Sequence, residues 1–120
     1  MEVEYRDLRL LGDEEKPVLN RLVREYYVKI SRKLHNPKLI LKFKKYKAEG
    51  KRAKYSIHCR VDSPSLLAVA EAYDWDFATA MHKVMRKVIN EINHKYKLEG
   101  NKYRKARAGL RRKAGRLQGL

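Results

Sequence analysis

Between residues 38 and 61 the chain alternates apolar and polar side chains twice over, and this pattern restricts the fold more than any other feature of the sequence. In the first stretch Leu39, Leu41 and Phe43 point one way while Lys38, Lys42 and Lys44 point the other. After a turn at Ala48-Glu49-Gly50-Lys51, the residues Ala53, Tyr55, Ile57, Cys59 and Val61 alternate with Arg52, Lys54, Ser56, His58 and Arg60. A period of two over such a length marks half-buried strands, which predicts an antiparallel hairpin with one apolar and one basic face. The apolar face requires a covering layer.

Two segments with a helical period supply that layer. Leu19, Leu22, Val23, Tyr26, Ile30 and Leu34 recur at steps of three and four, which predicts a helix over Val18–Leu34. Asp13 is the expected cap, acids fill the first turn, Pro17 is tolerated there, and His35-Asn36-Pro37 ends the helix. Asp74 and Asp76 open a second helix, where carboxylates complement the dipole, and Phe77, Met81, Val84, Met85, Val88, Ile92 and Tyr96 form its apolar stripe. Val3 and Tyr5 alternate with Glu2, Glu4 and Arg6 as a short first strand, and Leu66 to Tyr73 makes a fourth strand whose facing the composition leaves open. The expected class is α+β in the order β-α-β-β-β-α: a four-stranded sheet with two helices packed on one face, plus a flexible basic C-terminal tail. Residues 1–98 form the expected folded α+β domain, and 99–120 a basic tail disordered in isolation, with too little apolar content to fold alone. Leu110, Ala114 and Leu117 would line a short helix in that tail once a partner neutralises its charge.

The charge is as informative as the periodicity. Over 120 residues, 30 Lys or Arg face 14 Asp or Glu, a net +16 that favours a polyanionic partner, with nucleic acid ahead of anionic membrane or acidic protein. The surplus is uneven: residues 29–60 hold 12 basic side chains and the single acid Glu49, residues 61–82 sum to −4, and residues 101–120 add 8 basic residues and no acid. A solvated surface ordinarily interleaves signs, so the run at 29–60 reads as a binding surface. The single cysteine, Cys59, excludes an internal disulfide framework and fits a reducing compartment. No apolar run approaches a membrane span, and Met1-Glu2-Val3-Glu4 lacks a secretory start, so a cytoplasmic protein is expected.

Catalytic chemistry finds little support. His58 and Cys59 are neighbours on a strand and project to opposite faces, which separates a nucleophile from its base and leaves Cys59 a small core residue. Glu71, Asp74, Asp76 and His82 lack a metal-ligand spacing, and helix capping accounts for the acids. There is no phosphate-binding loop. The reading is therefore non-enzymatic, with no cofactor, metal or small-molecule substrate.

Binding features are more substantial. The first helix presents Arg21, Arg24, Lys29, Arg32 and Lys33, and the second presents Lys83, Lys87, Asn90, His94 and Lys97 at steps of four, three, four and three. Lysine and arginine rows of this kind release counterions from phosphates, and Asn90 and His94 suit ribose hydroxyls. Arg104, Lys105, Arg111 and Arg112 extend the candidate RNA-binding set into the tail. Lys42, Lys44, Lys54 and Arg60 on the strands are the fallback surface. Tyr27 and Trp75 read first as covers of the core edge and of the helix start, and second as exposed stacking residues.

Ala70-Glu71, followed by Asp76-Phe77-Ala78-Thr79-Ala80-Met81-His82 and by Arg86-Lys87-Val88-Ile89-Asn90-Glu91-Ile92, resembles the short ribosome hibernation promoting factors, also called ribosome-associated inhibitor A or protein Y. In that family the last strand ends in Ala-Glu or Ala-Asp, and the helix reads roughly D-x-Y-A-A-I-D and then D-K-L-x-R-Q-L. Pro17 through Leu34 also resembles the family's first helix, and the likeness covers about the first 97 residues. It implies a factor seated on small-subunit rRNA between head and body, over the messenger channel and tRNA sites, keeping idle ribosomes intact and untranslating. Lys87 matches the family's helix lysine. Ala78 stands in place of the family's Tyr, His82 and Arg86 in place of its Asp residues, and Asn90 in place of its Arg, which makes the second helix more basic. The tail is too short and basic to resemble the dimerisation domain of the long members, so ribosome pairing is not expected.

Two other readings compete. A double-stranded RNA-binding domain has an α-β-β-β-α order contained in this one, but it grips phosphates with a lysine cluster at the start of its last helix. This chain has Asp74-Trp75-Asp76 there. A structural or assembly component of a ribonucleoprotein particle, held by the basic tail, is the other.

Overall fold

The computed structural model describes the backbone of residues 1–47 and 53–111, and the side chains of residues 1–46 and 53–96. Strand β1 (Glu2–Arg6) leads through a short 3-10 turn, Leu8–Leu10, into α1 (Glu15–Ser31). Strands β2 (Lys38–Lys47), β3 (Ala53–Asp62) and β4 (Leu67–Asp74) follow, and then α2 (Phe77–Arg111). This is the predicted β-α-β-β-β-α order, with the four strands side by side in the sequence β1-β2-β3-β4. Because α1 carries the chain back across the sheet, β1 runs parallel to β2, whereas the shorter connections make the other two pairs antiparallel.

The hairpin register sets Phe43 against Ile57 and Leu41 against Cys59 on the inner face, with Lys42 against His58 on the outer. The predicted turn at residues 48–51 lies outside the described residues. Leu39, Leu41, Phe43, Ile57, Cys59 and Val61 meet Leu19, Leu22, Val23 and Ile30 of α1 and Met81, Val84, Met85, Val88 and Ile92 of α2, all at most 1% exposed. Removing a large aliphatic side chain from water stabilises by about 1.5–3 kcal/mol, so the contact between the helix pair and the inner sheet face dominates the energetics. Burial pushes the Cys59 thiol up to about 12, as an inert core residue requires.

Strand β4 resolves the facing that its composition left open. Ala68 and Ala72 are buried and Ala70 half-buried under α2, while Leu67, Val69 and Tyr73 project from the other side of the sheet. Small inward side chains leave room for α2 to lie close against the strand.

Helix ends follow local chemistry, with one correction. Asp13 is not the cap of α1. Instead the Glu15 carboxylate reaches back to accept the Gly12 N–H at 2.6 Å, while the Gly12 carbonyl accepts the N–H groups of Glu15 and Lys16 at 3.2 Å. The Glu15 side chain thus closes the first turn back onto Gly12, in place of the side-chain cap expected from Asp13. At the other end α1 stops at Ser31 and continues in tighter turns, with Leu34 still buried, before Asn36 at φ 46° and buried Pro37 redirect the chain into β2. Asp76 caps α2 as predicted, accepting the Thr79 N–H at 2.9 Å and its hydroxyl at 2.7 Å. The backbone of α2 runs on to Arg111, across the boundary placed at residue 98. Residues 112–120, and with them Arg112, Ala114 and Leu117, lie outside the described residues.

Candidate nucleic-acid interface

The seam between the helices decides which way each basic row faces. Tyr26 of α1 meets His82 of α2, with the phenol oxygen 2.6 Å from Nδ1 and the rings edge to face at 5.6 Å. Farther along, the Tyr96 hydroxyl donates to the Lys33 carbonyl at 2.5 Å. Positions 82 and 96 therefore mark the side of α2 turned to α1, and Lys83 and Lys87 fall on the flank turned to β4. His82 is thus committed to the helix seam and Asp76 to the cap, so the four residues that imitate a metal cluster in the sequence are not gathered at one point.

On the β4 flank, Lys83 Nζ lies 2.6 Å from Asp74 Oδ2, and Lys87 Nζ donates to the Glu71 carbonyl at 3.1 Å. Lys95 donates to the Leu67 carbonyl and pairs loosely with Glu91 at 3.8 Å. The Lys83 ammonium, with help from the Asp76 and Trp75 N–H groups, holds the Asp74 carboxyl below the usual aspartate range. Asn90 and His94 are exposed and line, with Lys87, Glu91, Val69 and Ala70, a shallow groove between α2 and β4. Lys83, Lys87, Asn90 and His94 of the predicted row thus lie exposed along the β4 flank of α2, with the two lysines already engaged.

The cations of α1 and of the turn that follows it are held differently. Arg21, Arg24 and Arg32 are exposed and make no side-chain hydrogen bond or ion pair among the described residues. Lys29 lies 5.0 Å from the centroid of Tyr26, and Lys33 is half-buried beside an open cleft lined also by Arg32, His35, Asn36 and Tyr96. Arg24 falls on the opposite flank of the helix from Lys29, so the five do not form a single line. Lys97, Arg104, Lys105 and Arg111 sit on the α2 backbone, with side chains outside the described set.

Tyr27 fastens the fold: its hydroxyl donates to the Pro37 carbonyl at 2.6 Å and accepts the Glu2 N–H at 3.2 Å. The strands add a surface that sequence reasoning reached only in part. Lys42, Lys44, Lys54 and Arg60 share the uncovered face of the sheet with His58, as the alternation predicts. Tyr46 and Tyr73 stand on that same face, and the signal for Tyr73 was the β4 facing that could not be read.

A scan against protein-family models finds no match, and a search of curated proteins finds none. Among solved structures, the N-terminal domain of Thermus thermophilus Protein Y aligns with 78% of this chain and 93% of its own, at 18% identity and a TM-score of 0.50. The two share a fold. Protein Y is also the family whose motifs the α2 residues resemble. No described helix is long and apolar enough to cross a membrane.

Proposed function

We propose that the protein is a non-enzymatic ribosome-associated factor that docks on small-subunit rRNA at the mRNA and tRNA channel, restraining translation and protecting idle ribosomes in the cytoplasm. The observation that carries this reading is the fold shared with the Protein Y N-terminal domain, obtained from a chain whose second helix resembles that family in its motifs. The exposed arginines of α1 and the basic flank of α2 supply the phosphate contacts, and the tail, with Arg104, Lys105, Arg111 and Arg112, adds sequence-independent affinity. Binding to duplex RNA in the manner of a double-stranded RNA-binding domain is disfavoured, because Asp74 and Asp76 place carboxylates where that mode needs lysines.

Sucrose-gradient fractionation tests the reading. The protein is expected in the small-subunit and whole-ribosome fractions, and added tRNA or messenger should displace it. Equal binding to plain duplex RNA, together with indifference to tRNA on ribosomes, overturns the proposal.

A further inference from the structure

The sheet face turned away from the helices is uncovered, and its two halves are unlike. Toward one end Glu4 lies 3.0 Å from Arg6 and 3.4 Å from Lys38, and Arg60 lies 3.1 Å from Asp62, so the cations there are already matched. Toward the β2–β3 hairpin, Lys42 and Lys44 make no ion pair among the described residues, and the Lys54 ammonium lies 4.2 Å from the Tyr73 ring centroid. Register places Lys44, Ser56 and Tyr73 in one row across β2, β3 and β4, with Lys42, His58 and Glu71 in the next and Tyr46 opposite Lys54 beyond. A hollow of about 190 Å³ opens between the rows, lined by Lys42, Lys44, Ser56, His58 and Glu71.

Lysines alone would keep such a face soluble. They do not account for two tyrosines on it, 54% and 59% exposed, with an ammonium on one of their rings. Tyr46 and Tyr73 are two strands and two residues apart, about 12 Å between backbones by ordinary sheet geometry. Rigidly spaced aromatic rings with cations between them match a strand whose bases are splayed and whose phosphates lie between. A duplex has no free base face to offer.

We propose that this half of the open sheet face binds single-stranded RNA, with bases stacked on Tyr46 and Tyr73 and phosphates met by Lys42, Lys44 and Lys54. Lys54 covers Tyr73 in the free protein, and its flexible stem lets the ammonium move to a phosphate as a base takes the ring. Ser56 and His58 reach base edges or ribose hydroxyls in the hollow. The choice of RNA over DNA rests on the ribosome reading; the platform itself uses none of the helix residues assigned there.

Fluorescence anisotropy with the full chain, labelled oligouridine and a labelled RNA duplex at near-physiological salt tests the platform. Replacing both rings, Tyr46→Ala with Tyr73→Ala, should weaken oligouridine binding roughly ten-fold or more and leave the duplex within about two-fold. The pair Tyr46→Phe and Tyr73→Phe keeps the rings and should bind like the parent, which separates stacking from disturbance of the strand. Lys42→Gln with Lys44→Gln should flatten the oligouridine salt dependence by roughly one unit per lost contact. An alanine pair that binds oligouridine as the parent does, or loses both ligands equally, overturns the platform. If oligouridine binding persists while ribosome co-sedimentation fails, the platform stands and the ribosome reading falls.

Discussion

The two helices carry similar cations and hold them in opposite ways. Arg21 and Arg24 of α1, and Arg32 at its C-cap, stand in solvent with no side-chain partner among the described residues. Lys83 and Lys87 of α2 are drawn onto β4, one by the Asp74 carboxylate and the other by the Glu71 carbonyl. A phosphate approaching α1 meets cations at once, whereas one approaching α2 must first displace an internal acceptor. Residue type tells how much positive charge a surface has; the partners of each ammonium tell how much of it is available to a ligand.

The largest test of this contrast is to remove the α1 arginines together. Arg21→Gln, Arg24→Gln and Arg32→Gln should lower ribosome affinity on the order of a hundred-fold at ~0.15 M salt and flatten the salt slope by about three units, as three lost phosphate contacts would. Filter binding across a salt series reads both. An unchanged slope would remove α1 from the interface and erase the contrast.

A smaller effect is expected on the other helix. Lys83→Gln with Lys87→Gln should weaken binding only a few-fold, because in the parent part of each contact's gain is spent on breaking the bond to β4. The slope should fall by about two units if both lysines do reach phosphate in the complex. A loss matching that of the α1 triple variant would show that the β4 contacts impose no cost.

This difference between the helices was not visible in the sequence, although most of the architecture was. The hairpin could be read because its inward and outward residues differ sharply in polarity, as at Ile57 and His58, and its register follows from that pattern. Strand β4 could not, because its inward residues are the weakly apolar Ala68, Ala70 and Ala72 while its outward ones include Leu67, Val69 and Tyr73. With that facing undetermined, Tyr73 could not be placed beside Lys54, and the aromatic content of the open face stayed hidden. The α2 cations were found by spacing. Their engagement was not, since Lys83 meets Asp74 across the strand-to-helix junction and Lys87 meets a backbone carbonyl, which no side-chain pattern records.

The smallest expected effect isolates one such contact. Asp74→Asn keeps the oxygen that accepts the Asp76 N–H at 3.0 Å and removes the charge that holds Lys83, so ribosome binding should tighten two- to three-fold. The same pair has a pH signature independent of any ligand. The Asp74 pKa is held below its ordinary value of 3.8 by Lys83, so the pairing contributes fully above that value and is lost as pH falls through the lower folded pKa. A carboxyl-carbon NMR titration of the free protein should therefore place the Asp74 inflection below the ordinary aspartate range, and Lys83→Gln should raise it toward that range. An Asp74 that titrates normally in the parent would mean Lys83 is as available as the arginines of α1, and that the helices differ in sequence alone.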